Sequence, residues 1–245
     1  GMRGPTATIC AGATSGVSAL HLGRQLVRNG ASRRAIVVAA DEANAALLAG
    51  YGGFPGYLAT GPVAPNRGSG VAFSEAAVAV VLEARDEDAA APADEDGAAA
   101  RLVRVAGMGL TGDGPGAGRM GRTATAWRRS FEQALERAGI GAERIDAVVT
   151  AACGHEPIDR LERAALDGLG LRDGVPRVAA KAITGDLQSV SPLLGMLVAK
   201  WIVDGERLVV DGAPVELAPA DDAERYVLVS GYGVGGSFQS YVVRG

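Results

Sequence analysis

The chain has 245 residues, of which 48% are hydrophobic and 21% charged, so it is long enough for one large globular domain or two packed subdomains. Its net charge of −4 and the lack of a basic run exclude a typical nucleic-acid-binding surface, and no apolar stretch approaches the roughly twenty residues of a membrane helix. Its two cysteines, Cys10 and Cys153, lack the spacing of a disulfide framework or a zinc site, which favours a cytoplasmic location.

The first 84 residues predict part of an α/β unit. In chain order they contain a β-prone run at 7–11, a helix at 16–29, apolar strands at 35–40 and 76–83, and between the strands a loop at 50–70. Gly30 suits the C-terminal cap of the helix, because glycine adopts the left-handed conformation freely. Both apolar runs are continuous, which is typical of strands covered on both faces.

Residues 85–100 predict a solvated linker, because they carry six carboxylates among alanines and one proline, without apolar periodicity. The linker divides the chain into a first unit, 1–84, and a second unit, 101–245. The second unit alternates predicted strands at 102–107, 145–150 and 178–180 with helices at 124–138, 158–169 and 191–203, and ends in strands at 208–210, 226–230 and 238–243. Such alternation indicates βαβ crossovers on a mostly parallel sheet closed by antiparallel strands.

Residues 4–8 and 11–16 carry the first recognisable motif. They read Gly-Pro-Thr-Ala-Thr and Ala-Gly-Ala-Thr-Ser-Gly, and they resemble the dimer strand and nucleophile elbow of the β-ketoacyl synthases, a family of the thiolase-like superfamily. In that family a Thr-Ala-Cys-x-Ser-Gly pattern places a cysteine at a helix N-terminus, where the helix dipole favours the thiolate. The cysteine position is Ala13 here. Alanine has no nucleophilic atom, so we expect no covalent acyl-enzyme.

Two further segments resemble the family's motifs in the same order along the chain. Residues 70–83 are similar to its Gly-Glu-Gly-Ala-Ala strand. Residues 151–162 are similar to its loop His-Gly-Thr-Gly-Thr-x-x-Gly-Asp-x-x-Glu. In this loop Ala151 stands at the catalytic histidine position, whereas the acidic residues Asp159 and Glu162 are retained.

The last two motifs lie in the C-terminal third of the chain. The segment that begins at Lys181 is similar to Lys-Ser-Asn-Ile-Gly-His, with Asp186 at the position of the second catalytic histidine. Residues 230–237 resemble the glycine-rich Ser-Phe-Gly-Phe-Gly-Gly-Thr loop. There Val234 stands where the family has a gatekeeping phenylalanine whose backbone N–H helps to form an oxyanion hole, and Tyr232 precedes it at a pocket position.

The resemblance implies an α/β, thiolase-like fold made of the C-terminal part of the first half and a complete second βαβαβ half. It also implies a protein of fatty-acid or polyketide biosynthesis that needs no cofactor or metal. Because all three chemical positions are replaced, we expect a non-condensing pseudoenzyme or partner subunit that binds acyl chains or an acyl carrier protein.

Partners are also implied by the resemblance. In the family the dimer strand pairs with its own copy, and Thr6, Thr8 and Ile9 are β-compatible, so we expect a homodimer through residues 6–11. Most of the family's first half has no counterpart in this sequence. Three explanations stay open: a complementary N-terminal ketosynthase-half subunit, a truncation repaired by dimerisation, or a longer chain.

Two alternatives to a pseudoenzyme stay open. An active synthase-like protein would use the relocated side chains Cys153, His155 and Asp186, or chemistry completed by a second subunit. A purely structural subunit would have no acyl pocket, and a filled cavity beneath Ala13 would indicate it.

Two residues carry expectations about burial. Lys181 is one of only two lysines, and we expect it to pair with Glu162 or Asp159, because an isolated buried ammonium is costly. We expect Cys10 to be buried as a small apolar side chain.

Overall fold

The chain folds into α/β layers, as the sequence predicts. The structure, a computed structural model, describes residues 4–62, 64–85, 102–114, 123–210, 213–215 and 224–245. The predicted linker at 85–100 therefore lies outside the described residues, apart from its first position, Arg85. Among the helices of the described residues, none is long and apolar enough to cross a membrane.

Most elements lie within a few residues of their predicted positions. The helices of the described residues are α1 (Ser15–Arg28), α2 (Ala45–Gly52), α3 (Thr125–Ala138), α4 (Glu156–Asp167), the short α5 (Lys181–Thr184) and α6 (Ser191–Val203). The strands are β1 (Arg34–Asp41), β2 (Ala76–Glu83), β3 (Arg104–Gly112), β4 (Ala147–Val149), β5 (Arg177–Val178), β6 (Val209–Val210), β7 (Ala213–Pro214), β8 (Tyr226–Gly233) and β9 (Ser237–Arg244). Helix α2 had not been predicted and runs into the expected loop; the Asn44 side chain caps it by accepting from Leu47 N at 2.9 Å.

A five-stranded sheet in the order β3-β9-β8-β4-β5 is formed by strands between residues 104 and 244. Strand β4 runs parallel to both β8 and β5, whereas β9 runs antiparallel to β8 and β3. Every residue of β8 is buried, because α6 packs against one face of the sheet and α3 against the other. The predicted combination of parallel and antiparallel strands is confirmed, but within the described residues two of the four pairings are parallel, so the sheet is mixed and not mostly parallel.

Helix α3 lies in direct backbone contact with β3. A Cβ atom at Gly109 would lie 1.8 Å from the carbonyl oxygen of Ser130, and one at Gly107 would lie 2.0 Å from that of Ala134. Only glycine leaves room for the helix at these two positions. The close approach brings the buried Trp127 of α3 onto the sheet.

Strands β1 and β2 form a separate antiparallel pair. Its inner face packs against α1, where Val17 and Val37 share one buried cluster. Its outer face is open, since Ile36, Val38 and Val81 are 52%, 59% and 63% exposed. The prediction that both faces are covered is wrong for the described residues, because none of them packs on this side.

The segment before α1 is unpaired in the single chain. Residues 5–10 belong to no helix or strand, and within the described residues their backbone groups make no hydrogen bond. Ile9 is half-buried. Cys10 is exposed, so the prediction that it is buried is wrong; with no strand beside it, the segment covers nothing and leaves the thiol in solvent.

Candidate functional site

The N-terminus of α1 meets the glycine-rich turn that follows β8. Thr14 Oγ1 lies 3.4 Å from Ser237 Oγ. A Cβ atom at Gly16 would lie 2.3 Å from the carbonyl oxygen of Ser189, so the helix also contacts the segment that leads into α6. Ala13, half-buried, therefore lies where these two segments converge on the first turn of α1.

The carboxyl ends of the parallel strands bring the other predicted positions to the same edge of the sheet. Ala151 follows β4 and is buried, and Asp186 follows α5 and is 4% exposed. The Asp186 backbone N–H donates to Ala72 O at 2.7 Å, and the Ser74 N–H donates to Asp186 O at 3.0 Å. Val234 lies half-buried in the turn between β8 and β9. Each predicted position thus lies in a loop or turn beside the sheet.

Asp159 fixes the loop between β4 and α4. It lies in the first turn of α4 and is fully buried. Its Oδ1 accepts from Cys153 N at 2.9 Å, and its Oδ2 accepts from Gly154 N at 3.0 Å and from Asn66 N at 2.7 Å. The hydrogen bonds from these three backbone N–H groups are charge-assisted, because their acceptor is a carboxylate. They join two loops that are distant in the sequence.

Glu162 lies one helical turn further along α4 and supports Ala151. Its Oε1 accepts from Ala151 N at 2.8 Å, and the side chain is 1% exposed. Burial raises the pKa of Glu162 to about 7, although hydrogen bonds from Ser230 and from the Ala151 backbone act in the opposite direction. Near neutral pH a part of the population therefore carries a protonated Glu162.

We expect the stability difference between Glu162→Gln and the wild type to change between pH 4.5 and pH 7. The carboxyl has an ordinary pKa of 4.5 when unfolded and about 7 when folded, so the folded state holds the proton more tightly. Binding of this proton therefore stabilises the folded state relative to the unfolded state. The stabilisation is complete below pH 4.5 and is lost by about pH 7. Relative to the wild type, the variant should therefore gain on the order of 3 kcal/mol across this interval.

Urea unfolding at several pH values would measure the difference. The exposed Glu136 on α3 supplies the matched control, Glu136→Gln, which should follow the wild type throughout. Parallel profiles for Glu162→Gln and the wild type would contradict the assignment.

Lys181 pairs with Asp186, which corrects the prediction that it pairs with Glu162 or Asp159. Lys181 Nζ donates to Asp186 Oδ2 at 2.8 Å, and the two side chains are 10% and 4% exposed. Burial by itself lowers the pKa of Lys181, but the Asp186 carboxylate outweighs burial and holds that pKa above its ordinary value. Asp186, which the sequence predicts at the second histidine position, is therefore the counter-ion of Lys181.

Two tyrosine side chains occupy the remaining space in the site. The Tyr57 and Tyr232 hydroxyls lie 3.1 Å apart, and Lys181 Nζ lies 5.4 Å from the centre of the Tyr232 ring. The cavity bounded by Ala151, Lys181, Tyr232 and the start of α6 has a volume of about 20 Å³. This volume holds about one water molecule.

Comparisons with known proteins show similarity to β-ketoacyl synthases. Residues 102–206 match the family model described as beta-ketoacyl synthase, C-terminal domain. The actinorhodin polyketide putative beta-ketoacyl synthase 2 of Streptomyces coelicolor is 29% identical over 202 residues, which cover 77% of this chain and 46% of that protein. An oxazolomycin ketosynthase domain from Streptomyces albus superposes with a TM-score of 0.80 at 21% identity, over 98% of this chain and 46% of that one. The ishigamide ketosynthase/chain length factor superposes with a TM-score of 0.73 at 21% identity, over 97% of this chain and 60% of that one.

Residues 102–206 are therefore similar to the C-terminal domain of the β-ketoacyl synthases. The fold of the chain is the thiolase-like fold of the solved ketosynthases. The chain spans about half the length of the Streptomyces coelicolor relative, 46%.

The three candidates for a relocated catalytic set do not form one. Cys153 is 1% exposed, and burial raises the pKa of its thiol to about 12, so the thiolate is scarce at neutral pH. Its sulfur lies 3.8 Å from the Tyr232 hydroxyl. The His155 ring packs against Tyr57 at 4.9 Å between centres instead. Within the described residues, no hydrogen bond runs between the side chains of Cys153, His155 and Asp186, although a hydrogen bond with the His155 backbone lowers the pKa of the Cys153 thiol in part.

The sequence reasoning missed the aromatic wall of this ketosynthase-like site. Ring contacts form two groups of aromatic residues, and the contact between the Tyr57 and Tyr232 hydroxyls joins the two groups. Together the groups contain Tyr51, Phe54, Tyr57, Phe73, Trp127, Tyr232 and Phe238. Aromatic residues make up only 4% of the chain, so their concentration here is marked. The spacing of three between Tyr51, Phe54 and Tyr57, inside a segment rich in glycine, was the available signal.

Proposed function

We propose that this chain is a non-condensing ketosynthase-family subunit of a polyketide or fatty-acid synthase. The observation that carries the proposal is the set of side chains at the three chemical positions, Ala13, Ala151 and Asp186. Condensation needs a nucleophile that forms an acyl thioester and imidazoles that assist the second step. The methyl groups of Ala13 and Ala151 supply neither a nucleophile nor an imidazole. The Asp186 carboxylate, which Lys181 neutralises, does not supply them either.

The known relatives support a partner role. One solved relative is a ketosynthase/chain length factor, and a curated relative belongs to actinorhodin polyketide synthesis. We infer that this chain likewise acts beside an active ketosynthase and meets an acyl carrier protein.

Intact-mass spectrometry tests the proposal directly. The chain is incubated with acetyl- and malonyl-loaded acyl carrier protein, and no covalent acyl adduct is expected. The exposed Cys10 can react without catalysis, so the measurement uses Cys10→Ser as its background. Cys153→Ser on that background is the matched control. An adduct that forms with Cys10→Ser and disappears with the added Cys153→Ser would contradict the proposal and establish an active, relocated nucleophile.

A subunit without any acyl pocket is a second candidate, and the cavity of about 20 Å³ beside Lys181 favours it. Thermal unfolding in the presence of octanoyl coenzyme A distinguishes an acyl-binding subunit from a purely structural one, and coenzyme A without an acyl group is the control. An acyl-binding subunit gains thermal stability with the octanoyl compound alone, whereas a purely structural subunit responds equally to both.

Two surfaces support association with other chains. We propose that residues 6–11 pair with their own copy across a two-fold axis, since the backbone groups of 5–10 are unpaired in the single chain. We propose further that a complementary ketosynthase-half subunit covers the outer face of β1 and β2. The exposed Ile36, Val38 and Val81 support this second proposal, because a row of three apolar side chains on an open sheet favours burial.

A further inference from the structure

The sequence contains a single Asn-Gly pair, and it lies at the C-terminal end of α1. Asn29 is the C-cap residue of the helix, and Gly30 follows it with a φ of 71°. Residues 28–31 are all exposed. A Cβ atom at Gly30 would have no atom within 4 Å apart from those of its chain neighbours. Solvent therefore surrounds both the Asn29 side chain and the peptide bond that follows it.

The other two asparagines of the chain are held by hydrogen bonds. Asn44 Oδ1 accepts from Leu47 N at 2.9 Å, and Asn66 Oδ1 accepts from Arg163 Nη1 at 2.7 Å. Among the residues that the structure describes, none makes a hydrogen bond with the Asn29 side chain. The Asn29 carboxamide is therefore the least restrained of the three.

We propose that Asn29 is a site of spontaneous deamidation. The backbone nitrogen of Gly30 loses its proton and attacks Cγ of Asn29. The new C–N bond closes a five-membered succinimide ring, while the Cγ–Nδ2 bond breaks and the side-chain nitrogen leaves as ammonia. Water then adds to one of the two ring carbonyls and opens the ring, which gives aspartate or isoaspartate. Glycine favours the attack, because it has no Cβ atom to shield its nitrogen.

The folded state slows this reaction without preventing it. The Gly30 N–H donates to Val27 O at 3.1 Å, and the ψ of Asn29 is 3°. This hydrogen bond must break and ψ must rotate before the Gly30 nitrogen faces Cγ of Asn29. Helix ends fray, since exposed hydrogen bonds in a terminal turn open at a low cost in free energy. The rate of deamidation therefore reports local opening at the end of α1.

Both products change the connection between α1 and β1. Each carries a carboxylate, which is unfavourable beside the partial negative charge of a helix C-terminus. Isoaspartate also adds a methylene group to the main chain, and only residues 29–33 connect the two elements. Because α1 and β1 share the buried cluster of Val17 and Val37, a lower urea midpoint is expected for the isoaspartate form. The proposal goes beyond the non-condensing role, since it uses no residue of the filled site.

Peptide mapping after incubation of the folded chain at mildly alkaline pH tests the proposal. Trypsin releases residues 29–33, in which Asn29 is the one asparagine, and residues 35–67, which contain Asn44 and Asn66. We expect the peptide 29–33 to gain one mass unit, while the peptide 35–67 keeps its mass over the same time. A methyltransferase specific for isoaspartate, supplied with a labelled methyl donor, should label the incubated chain and not the fresh one.

Asn29→Gln is the matched variant, because its longer side chain would have to close a less favourable six-membered ring. It should keep its mass and remain unlabelled under the same conditions. In urea above the midpoint, the wild-type rate should rise to that of a synthetic peptide of residues 26–33. Equal rates at Asn29 and at Asn44 or Asn66 would overturn the proposal. An unchanged peptide 29–33 from the folded chain, at a time when the synthetic peptide has reacted fully, would overturn it as well.

Discussion

Replacement of Lys181 with methionine is expected to lower the free energy of unfolding by about 3–5 kcal/mol, because it leaves the Asp186 carboxylate buried without its cation. Asp186 is 4% exposed, and its Oδ2 accepts from Lys181 Nζ at 2.8 Å. Its Oδ1 accepts from Gln188 N at 2.8 Å. Loss of the ammonium therefore removes one strong bond and leaves a charge that water cannot reach.

The second change, Asp186→Asn, makes the test a double-mutant cycle. Asparagine keeps an oxygen for the Gln188 N–H and carries no charge, so Lys181→Met with Asp186→Asn should recover most of the loss. Urea unfolding with unchanged slopes measures all four proteins. If the double variant is as unstable as the sum of the two single variants, the pair is not coupled and its assigned role is wrong.

Sedimentation equilibrium at micromolar concentration is expected to give twice the monomer mass of 24.8 kDa. Pairing of residues 6–11 with a second copy would satisfy backbone groups that make no hydrogen bond in the single chain. Ile9 is half-buried, so Ile9→Glu places a charge in the paired segment. We expect this variant to sediment as a folded monomer.

Val38→Glu is the matched control for the dimer. Val38 is 59% exposed on the outer face of β1, a surface that we assign to a different partner. This variant should keep the dimer mass. A dimer that is dissociated by Val38→Glu and not by Ile9→Glu would show that the sheet face forms the interface, against the proposal. A folded wild-type monomer would contradict dimerisation altogether.

The regular elements were predictable because their signals are local. Strand β2 and helix α6 have the predicted bounds, 76–83 and 191–203. In β2 a continuous apolar run ends at a charged residue, and in α6 an apolar run of helical length follows Ser191 and Pro192. The family motifs were equally visible, since each one is a short run of residues in a fixed order.

The contacts within the site were not predictable, because they depend on backbone geometry between elements. Lys181 and Asp186 are five residues apart, a separation at which helical residues do not face each other. They meet because Gly185, with φ of 70° and ψ of −175°, ends α5 and turns the chain back. Tyr57 and Tyr232 are 175 residues apart. Their contact follows from the packing of two loops, for which the sequence has no local signal.

The position of β9 governs when the central sheet can assemble. Strand β9 lies between β3 and β8, and Arg104 of β3 pairs with Arg244 of β9. During synthesis on a ribosome, β3 therefore emerges long before β9, the one strand of the described residues that pairs with it. Pairings so distant in sequence slow folding, since the loop entropy is lost before the contacts form. The nascent chain must keep the unpaired β3 soluble until β9 has emerged, so its yield in cells is expected to depend on chaperones that hold such intermediates.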